Sequence, residues 1–223
     1  FEIRIHVNEK NKTITIQDNG IGMDENDMQA NLGTIAKSGT EDFIKKLGDK
    51  KGDINQIGKF GVGFYSSFMV SDQVVVRSKK YDSSSSFFWT SDGKGTFSIE
   101  PTEFNMSGTE ITLSIKKDDE EFLSKYRIEE IVKKYSDFVP FPIFVSSEED
   151  KKEKKDKEEK EAQVNSAEAI WLKDKTKIKE DEYKSFFNQT STYYDEPLQT
   201  IHFKAEGVVN YTALLYLPKS QPQ

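Results

Sequence analysis

FEIRIHVNEKNKTITIQDNGIGM, residues 1–23, holds the chain's clearest pattern. Phe1, Ile3, Ile5 and Val7 alternate with Glu2, Arg4 and His6, and Ile14 and Ile16 sit between Thr13, Thr15 and Gln17. A period of two sends successive side chains to opposite faces. Both runs therefore read as strands with one buried face, joined through residues 8–11 as an antiparallel hairpin. His6 falls on the polar side, as a surface strand residue. The second strand runs into Asp18-Asn19-Gly20-Ile21-Gly22-Met23, where an Asp at a strand end precedes two glycines. Glycine allows positive φ and close approach of a ligand to the backbone. An ionised carboxylate can only accept hydrogen bonds. It would favour a ligand offering an amine, such as N6 of adenine, over the carbonyl that guanine presents there. Alone, Asp-Asn-Gly is more often a turn than a site.

Downstream, Asp24 with Asp27 marks a helix start, and Met28 and Leu32 follow at helical spacing. NLGTIAKSGT (31–40) combines Asn31, Lys37 and Ser38 with two glycines. It reads as a mobile polar lid or as a plain helix–helix linker. A short helix over residues 41–47 closes at Gly48. GKFGVGF (58–64) has the spacing G-x-x-G-x-G and leads into a helix, where backbone N–H groups and the helix dipole suit phosphate. It lacks the Gly-Lys-Ser/Thr ending of a P-loop. Phe60, Phe64, Tyr65 and Phe68 share a helical spacing and read mostly as core. Further strands are expected at 74–77, 87–90, 96–99 and 109–115. Ile128, Ile131, Val132, Tyr135 and Phe138 then define an amphipathic helix, ended by Pro140 and Pro142.

The chain has 223 residues, 32 Lys+Arg against 39 Asp+Glu, and a formal net charge of −7. That length allows one large domain, or one domain and part of another, and a real core is affordable at this size. Without cysteine there is no disulfide framework, thiolate metal site or Cys nucleophile. Two histidines argue against His-rich zinc sites and Ser-His-Asp catalysis. The acidic balance argues against nonspecific nucleic-acid binding. No apolar run approaches the ~20 residues that cross a bilayer. Residues 148–161 are fourteen consecutive charges, eight acidic and six basic, and read as a solvated linker rather than a lone Glu–Lys helix. Beyond them, a strand-like run at 169–172, a helix at 181–187 and strands at 201–206 and 211–217 open a second unit. Trp89 and Trp171 read as packing residues, and the chain is expected to continue upstream of Phe1, which opens inside a strand pattern without Met.

DNGIGM (18–23), NLGTIAKSGT (31–40) and IGKFGVGFYS (57–66) are far more specific together than singly. In this order they closely resemble the nucleotide-site signatures of the 90-kDa heat-shock protein chaperones. KYSDFVPFPI (134–143) resembles the end of that family's N-terminal domain. EDEYKSFF (180–187) and HFKAEG (202–207) resemble the start of its middle domain, so the resemblance spans nearly the whole chain. The modest linker and RIEEIVKKYSDF (127–138) are most similar to the bacterial form.

The resemblance implies a Bergerat-type ATP-binding fold over residues 1–145, an α/β two-layer sandwich whose largely antiparallel sheet carries helices on one face. A charged linker would follow over 146–165, and the beginning of an α/β middle domain over 166–223. By resemblance, Asp18 holds the adenine amine, Gly22 and Met23 line the base pocket, and Thr109 reaches the adenine side through a water. Asn31 lies between base and phosphates, and Lys37 meets phosphate with Ser38 beside it. Gly58, Phe60, Gly61, Val62, Gly63 and Phe64 wrap the phosphates with backbone amides, under a lid of about residues 33–57. The cofactors implied are ATP or ADP with Mg²⁺. The family's water-activating glutamate and Mg²⁺-holding asparagine lie on a helix before this strand. No residue here is assigned as catalytic, and Glu2 sits in the wrong place to substitute. The parent is therefore expected to hydrolyse ATP, and this stretch alone is not. The partners implied are unfolded or partly folded client proteins and a second copy through a C-terminal domain. Neither nucleic acid nor membrane is expected, and the location implied is cytoplasmic. Two other readings stay open: a histidine kinase, mismatch-repair or topoisomerase enzyme of the same ATP-binding superfamily, and a non-catalytic nucleotide-binding scaffold.

Overall fold

The structure, a computed structural model, describes residues 1–33, 61–148, 161–191, 196–205 and 211–219. It divides into two units, Phe1–Ala167 and Glu168–Gln223. In the first, seven strands form one sheet: β1 (Ile3–Asn8), β2 (Thr13–Asp18), β3 (Ser71–Lys79), β4 (Ser86–Ser91), β5 (Phe97–Thr102), β6 (Gly108–Ile115) and β7 (Ile143–Ser147). Their spatial order is β5-β4-β3-β6-β2-β1-β7. The β1–β7 pair is parallel and the other neighbours are antiparallel, including the β1–β2 hairpin expected from the alternation.

Residues opposite one another across a ladder share a face, so the register sorts the sheet into rows. Val7, Ile14, Leu113 and Val74 make one apolar row. Ile5, Ile16, Ile111, Val76, Trp89 and Ile99 make the next. Helices α1 (Glu25–Leu32) and α3 (Lys125–Tyr135) close over this face with Met28, Leu32, Ile128 and Val132, giving the two-layer α/β sandwich. The opposite face is mostly polar, with Val75, Phe88 and Phe144 set among its polar residues. There Thr15 meets Thr112, Arg77 pairs with Glu110, and the His6 ring bonds Ser146 Oγ and Glu148 Oε1.

Asp24 caps α1 as its sequence announces: its Oδ1 accepts from Asp27 N–H at 2.9 Å, and Asp27 returns the bond to Asp24 N–H. Helix α3 is shorter than its apolar spacing implies. It ends at Tyr135, which is exposed, and Phe138 lies beyond it. Tertiary hydrogen bonds take the chain out of the helix there. The buried Asp137 carboxylate accepts from Ser166 N–H and Oγ–H. Buried Asn165 accepts from Ile143 N–H and donates to the Val139 and Phe141 carbonyls. Residues 163–166 are thereby fastened to the first unit.

In the second unit, the strand expected at 169–172 is instead a 3-10 turn, Ile170–Leu172. A four-residue apolar run carries too few residues to separate the two periods. Helix α4 (Glu180–Thr190) and the hairpin of β8 (Pro197–Ala205) with β9 (Tyr211–Pro218) follow. His202 ties them together: its Nε2 donates to the Trp171 carbonyl, which leaves Nδ1 to accept from Tyr183 Oη–H at 2.7 Å. Burial pushes the neighbouring Tyr216 hydroxyl up to about 12.

The core carries the stability. Met28 has no exposed surface, so Met28→Ala is expected to lower unfolding free energy by about 2–5 kcal/mol in urea denaturation. Tyr126→Ala, on the solvent side of α3, should change it by less than about 0.5 kcal/mol.

Candidate nucleotide site

One further row crosses the helix-covered face, and it changes character midway. Ile143 and Ile3 are followed by Asp18, Thr109 and Ser78 on adjacent strands, and then by Phe87. Three polar side chains thus occupy positions that the pleat assigns to the core. Asp18 Oδ1 accepts from Gly20 N–H at 2.8 Å, and the nearby Thr109 backbone amide also favours its ionised form. Burial still raises its pKa above the ordinary carboxylate value, because the Gly20 and Thr109 amides offset the lost hydration only in part.

The loop after Asp18 is held against the ends of β3 and β6. Gly22 has φ +63°, and a Cβ there would fall 1.9 Å from the Lys79 carbonyl oxygen. Gly108, at φ +131°, would put one 2.2 Å from the Asp18 carbonyl oxygen. Tyr81 N–H donates to the Ile21 carbonyl at 2.7 Å, and Met23 N–H donates to Ser78 Oγ at 2.8 Å. Lys80 continues the clasp, its ammonium 2.6 Å from carboxylate oxygens of both Asp24 and Asp27 at the start of α1. Those contacts raise the Lys80 pKa and lower that of Asp24.

The second glycine segment enters at Gly61, with φ +61°, and turns through a 3-10 stretch, Gly63–Ser66, into the short helix α2 (Ser67–Val70). Phe64 packs its ring edge-on against Trp89 at 5.5 Å, so the ring belongs to the core. The indole N–H of Trp89 is buried and meets no acceptor among the described residues. Tyr65 Oη–H donates to the Leu32 carbonyl at 3.1 Å, joining this segment to the end of α1 that carries Asn31.

Of the residues singled out in the sequence, Asp18, Gly22, Met23 and Thr109 gather at one end of β2, β6 and β3. Tyr65, next in the chain after Gly61–Phe64, bonds the carbonyl of Leu32, the neighbour of Asn31. Lys37, Ser38, Gly58 and Phe60 lie outside the described residues. Among the described residues, no group of three or more His, Asp or Glu side chains is placed to hold a metal ion. No described helix is long and apolar enough to cross a membrane.

A family model described as histidine kinase-, DNA gyrase B-, and HSP90-like ATPase matches residues 1–112. The Hsp90 protein model matches residues 121–164 and 146–223. The chain belongs to the Hsp90 family. It is 48% identical over 221 residues to the chaperone protein HtpG of Wolinella succinogenes, covering 99% of this chain and 35% of that one. To the HtpG of Helicobacter pylori it is 47% identical over 227 residues, 99% of this chain and 37% of the relative. To that of Paramagnetospirillum magneticum it is 44% identical over 223 residues, 100% and 34%. The chain therefore spans about a third of the length of the curated relatives it matches.

Two residues packed around this polar row carry no signal as a motif in the sequence. Ser78 and Lys80 sit in a strand end, VVVRSKK, that contains no glycine and no motif. The signal for Ser78 was present in the alternation Val74–Val76–Ser78, which places its hydroxyl on the buried face. For Lys80 there was none, since its partners lie 56 and 53 residues away.

Gly22→Ala must strain a left-handed backbone and push on the Lys79 carbonyl. It is expected to lower stability by about 2 kcal/mol or more. Gly63→Ala, where an added Cβ meets nothing within 4 Å among the described residues, should leave the thermal midpoint nearly unchanged.

Proposed function

We propose that this chain contains the ATP-binding domain of an ATP-driven chaperone, with residues 1–145 forming most of that domain, a charged linker within 146–165 whose two ends pack on the domain through β7 and residues 163–166, and 166–223 the beginning of a middle domain. The observation that carries the reading is the polar row Asp18–Thr109–Ser78 set into the core face of the sheet. A half-buried carboxylate there is costly unless a ligand uses it. Of roughly four lone-pair sites on an ionised carboxylate, the Gly20 amide takes one. Room remains for an amine donor, so the residues present fit an adenine. The match of the Hsp90 model to residues 121–223 favours this reading over the kinase, mismatch-repair and topoisomerase alternatives.

In the proposed arrangement Asp18 accepts from the exocyclic amine, Gly22 and Met23 line the base, and Thr109 reaches it through a water. Asn31 stands between base and phosphates. Lys37, Ser38 and the backbone of residues 58–64 meet the phosphates, beneath a lid of about residues 33–57. ATP supplies the free energy of phosphoryl transfer, with Mg²⁺ beside the phosphates, while this chain's own residues orient the nucleotide. Nucleotide state then biases a conformational equilibrium that clamps unfolded clients between two copies of a cytoplasmic protein.

Calorimetric titration of ADP and GDP into the full-length protein tests the site. ADP should bind and GDP should not, and Asp18→Asn should abolish ADP binding. The same variant carries a stability signature. Because burial raises the folded-state pKa of Asp18, folding holds the proton to higher pH than the unfolded chain does. Stability contributed by the protonated form is lost as pH rises through that window, so ionised Asp18 is a net penalty at neutral pH. Without ligand, Asp18→Asn should melt no lower than the parent. Equal ADP affinity in the two proteins would sink the assignment.

A further inference from the structure

Ser78 stands in the middle of the polar row with no exposed surface. Its Oγ lies 2.8 Å from the Gly108 carbonyl oxygen, 2.8 Å from Met23 N and 3.0 Å from Thr109 Oγ1. A carbonyl oxygen only accepts and a backbone N–H only donates, whereas a serine hydroxyl has one proton and two lone pairs. The single Ser78 proton therefore goes to Gly108, and one lone pair takes the Met23 N–H. The remaining lone pair faces Thr109, whose hydroxyl must be the donor in that contact. With its own proton turned toward Ser78, Thr109 Oγ1 offers only lone pairs to whatever lies in front of it. Asp18, directly across the β2–β6 ladder, is likewise an acceptor when ionised.

We infer that Ser78 is a positioning residue that fixes the hydrogen-bond polarity of the base edge. By holding the Thr109 proton it makes Asp18 and Thr109 an all-acceptor pair, which selects a 6-amino purine over a 6-oxo purine. The inference rests on the nucleotide reading above and deepens it. A water lodged against Thr109 must donate to it, leaving its second proton for N1 of the ring. That nitrogen accepts in adenine and carries a proton in hypoxanthine. Gly108 shares in the device, because its carbonyl is what draws the Ser78 proton away from Thr109. The left-handed φ and the missing Cβ that let Gly108 lie on the Asp18 carbonyl also bring that oxygen within reach.

The test compares ADP with inosine diphosphate, which differs at the purine 6-position and N1 and lacks the 2-amino group of guanine. Both are titrated calorimetrically into the full-length protein, its Ser78→Ala variant and its Ser78→Thr variant. Wild type should prefer ADP. In Ser78→Ala the Thr109 hydroxyl is free to turn and donate into the site. The ratio of the two dissociation constants should then narrow by about three- to tenfold, the worth of one hydrogen bond. Ser78→Thr keeps the hydroxyl and should keep the ratio. A purely structural role would weaken both nucleotides together, so an unchanged ratio in Ser78→Ala overturns the inference. Should Ser78→Ala fail to fold, Thr109→Val deletes the acceptor itself. Its ratio should narrow likewise, and an unchanged one overturns the inference equally. Wild-type protein that takes up neither nucleotide overturns the nucleotide reading, and this inference with it, before any variant is compared.

Discussion

The register of β2 against β6, and of β6 against β3, is the constraint on which the site depends. Pairing Asp18 with Thr109 and Thr109 with Ser78 brings three polar side chains from separate parts of the sequence into one row. Two residues further along the same strands, Ile16, Ile111 and Val76 form the apolar row that seals the core. The two rows share a face because the pleat repeats every two residues. A slip of one residue would turn both rows to solvent, so the apolar packing that fixes the fold also fixes the polar row. Site and core are one decision of the sheet. That explains how a carboxylate comes to sit where burial opposes its charge.

Close backbone approach supplies the next level of order. Gly22 lies on the Lys79 carbonyl and Gly108 on the Asp18 carbonyl, at distances no side chain would allow. Around them, the Ser78 hydroxyl joins Met23 to β6, and Lys80 joins the end of β3 to the first turn of α1. At the other side, the Tyr65–Leu32 bond and the Phe64–Trp89 contact bind the glycine segment to α1 and to the sheet. The loops that carry the proposed ligand contacts are thus anchored on strand ends and helix termini, which makes the site more exact than free loops would be.

Much of this was legible in the sequence, for physical reasons that differ by element. The β1–β2 hairpin was readable because one face of it is buried and the other polar, which leaves a period of two. The cap of α1 was readable because Asp24 and Asp27 bond each other locally. Strand β7 went unread: FPIFVSS is short, follows two prolines, and gains its strand character only by pairing in parallel with β1, far away in sequence. The end of α3 was misplaced because Asp137 and Asn165 are held by partners some 20 to 30 residues away. The glycine stretches stand out by composition alone, whereas Ser78 and Lys80 act through side-chain contacts to distant parts of the chain. What composition cannot carry is the direction of a hydroxyl proton, and that direction emerges only once Gly108, Met23 and Thr109 are seen around one oxygen.

A crystal structure of the ADP complex of the full-length protein would test the central claim most directly. The adenine amine is expected within about 3 Å of an Asp18 carboxylate oxygen, with the base over Gly22 and Met23 and the Thr109 hydroxyl at its edge. Nucleotide bound elsewhere, or bound at this site with its amine turned away from Asp18, would contradict it.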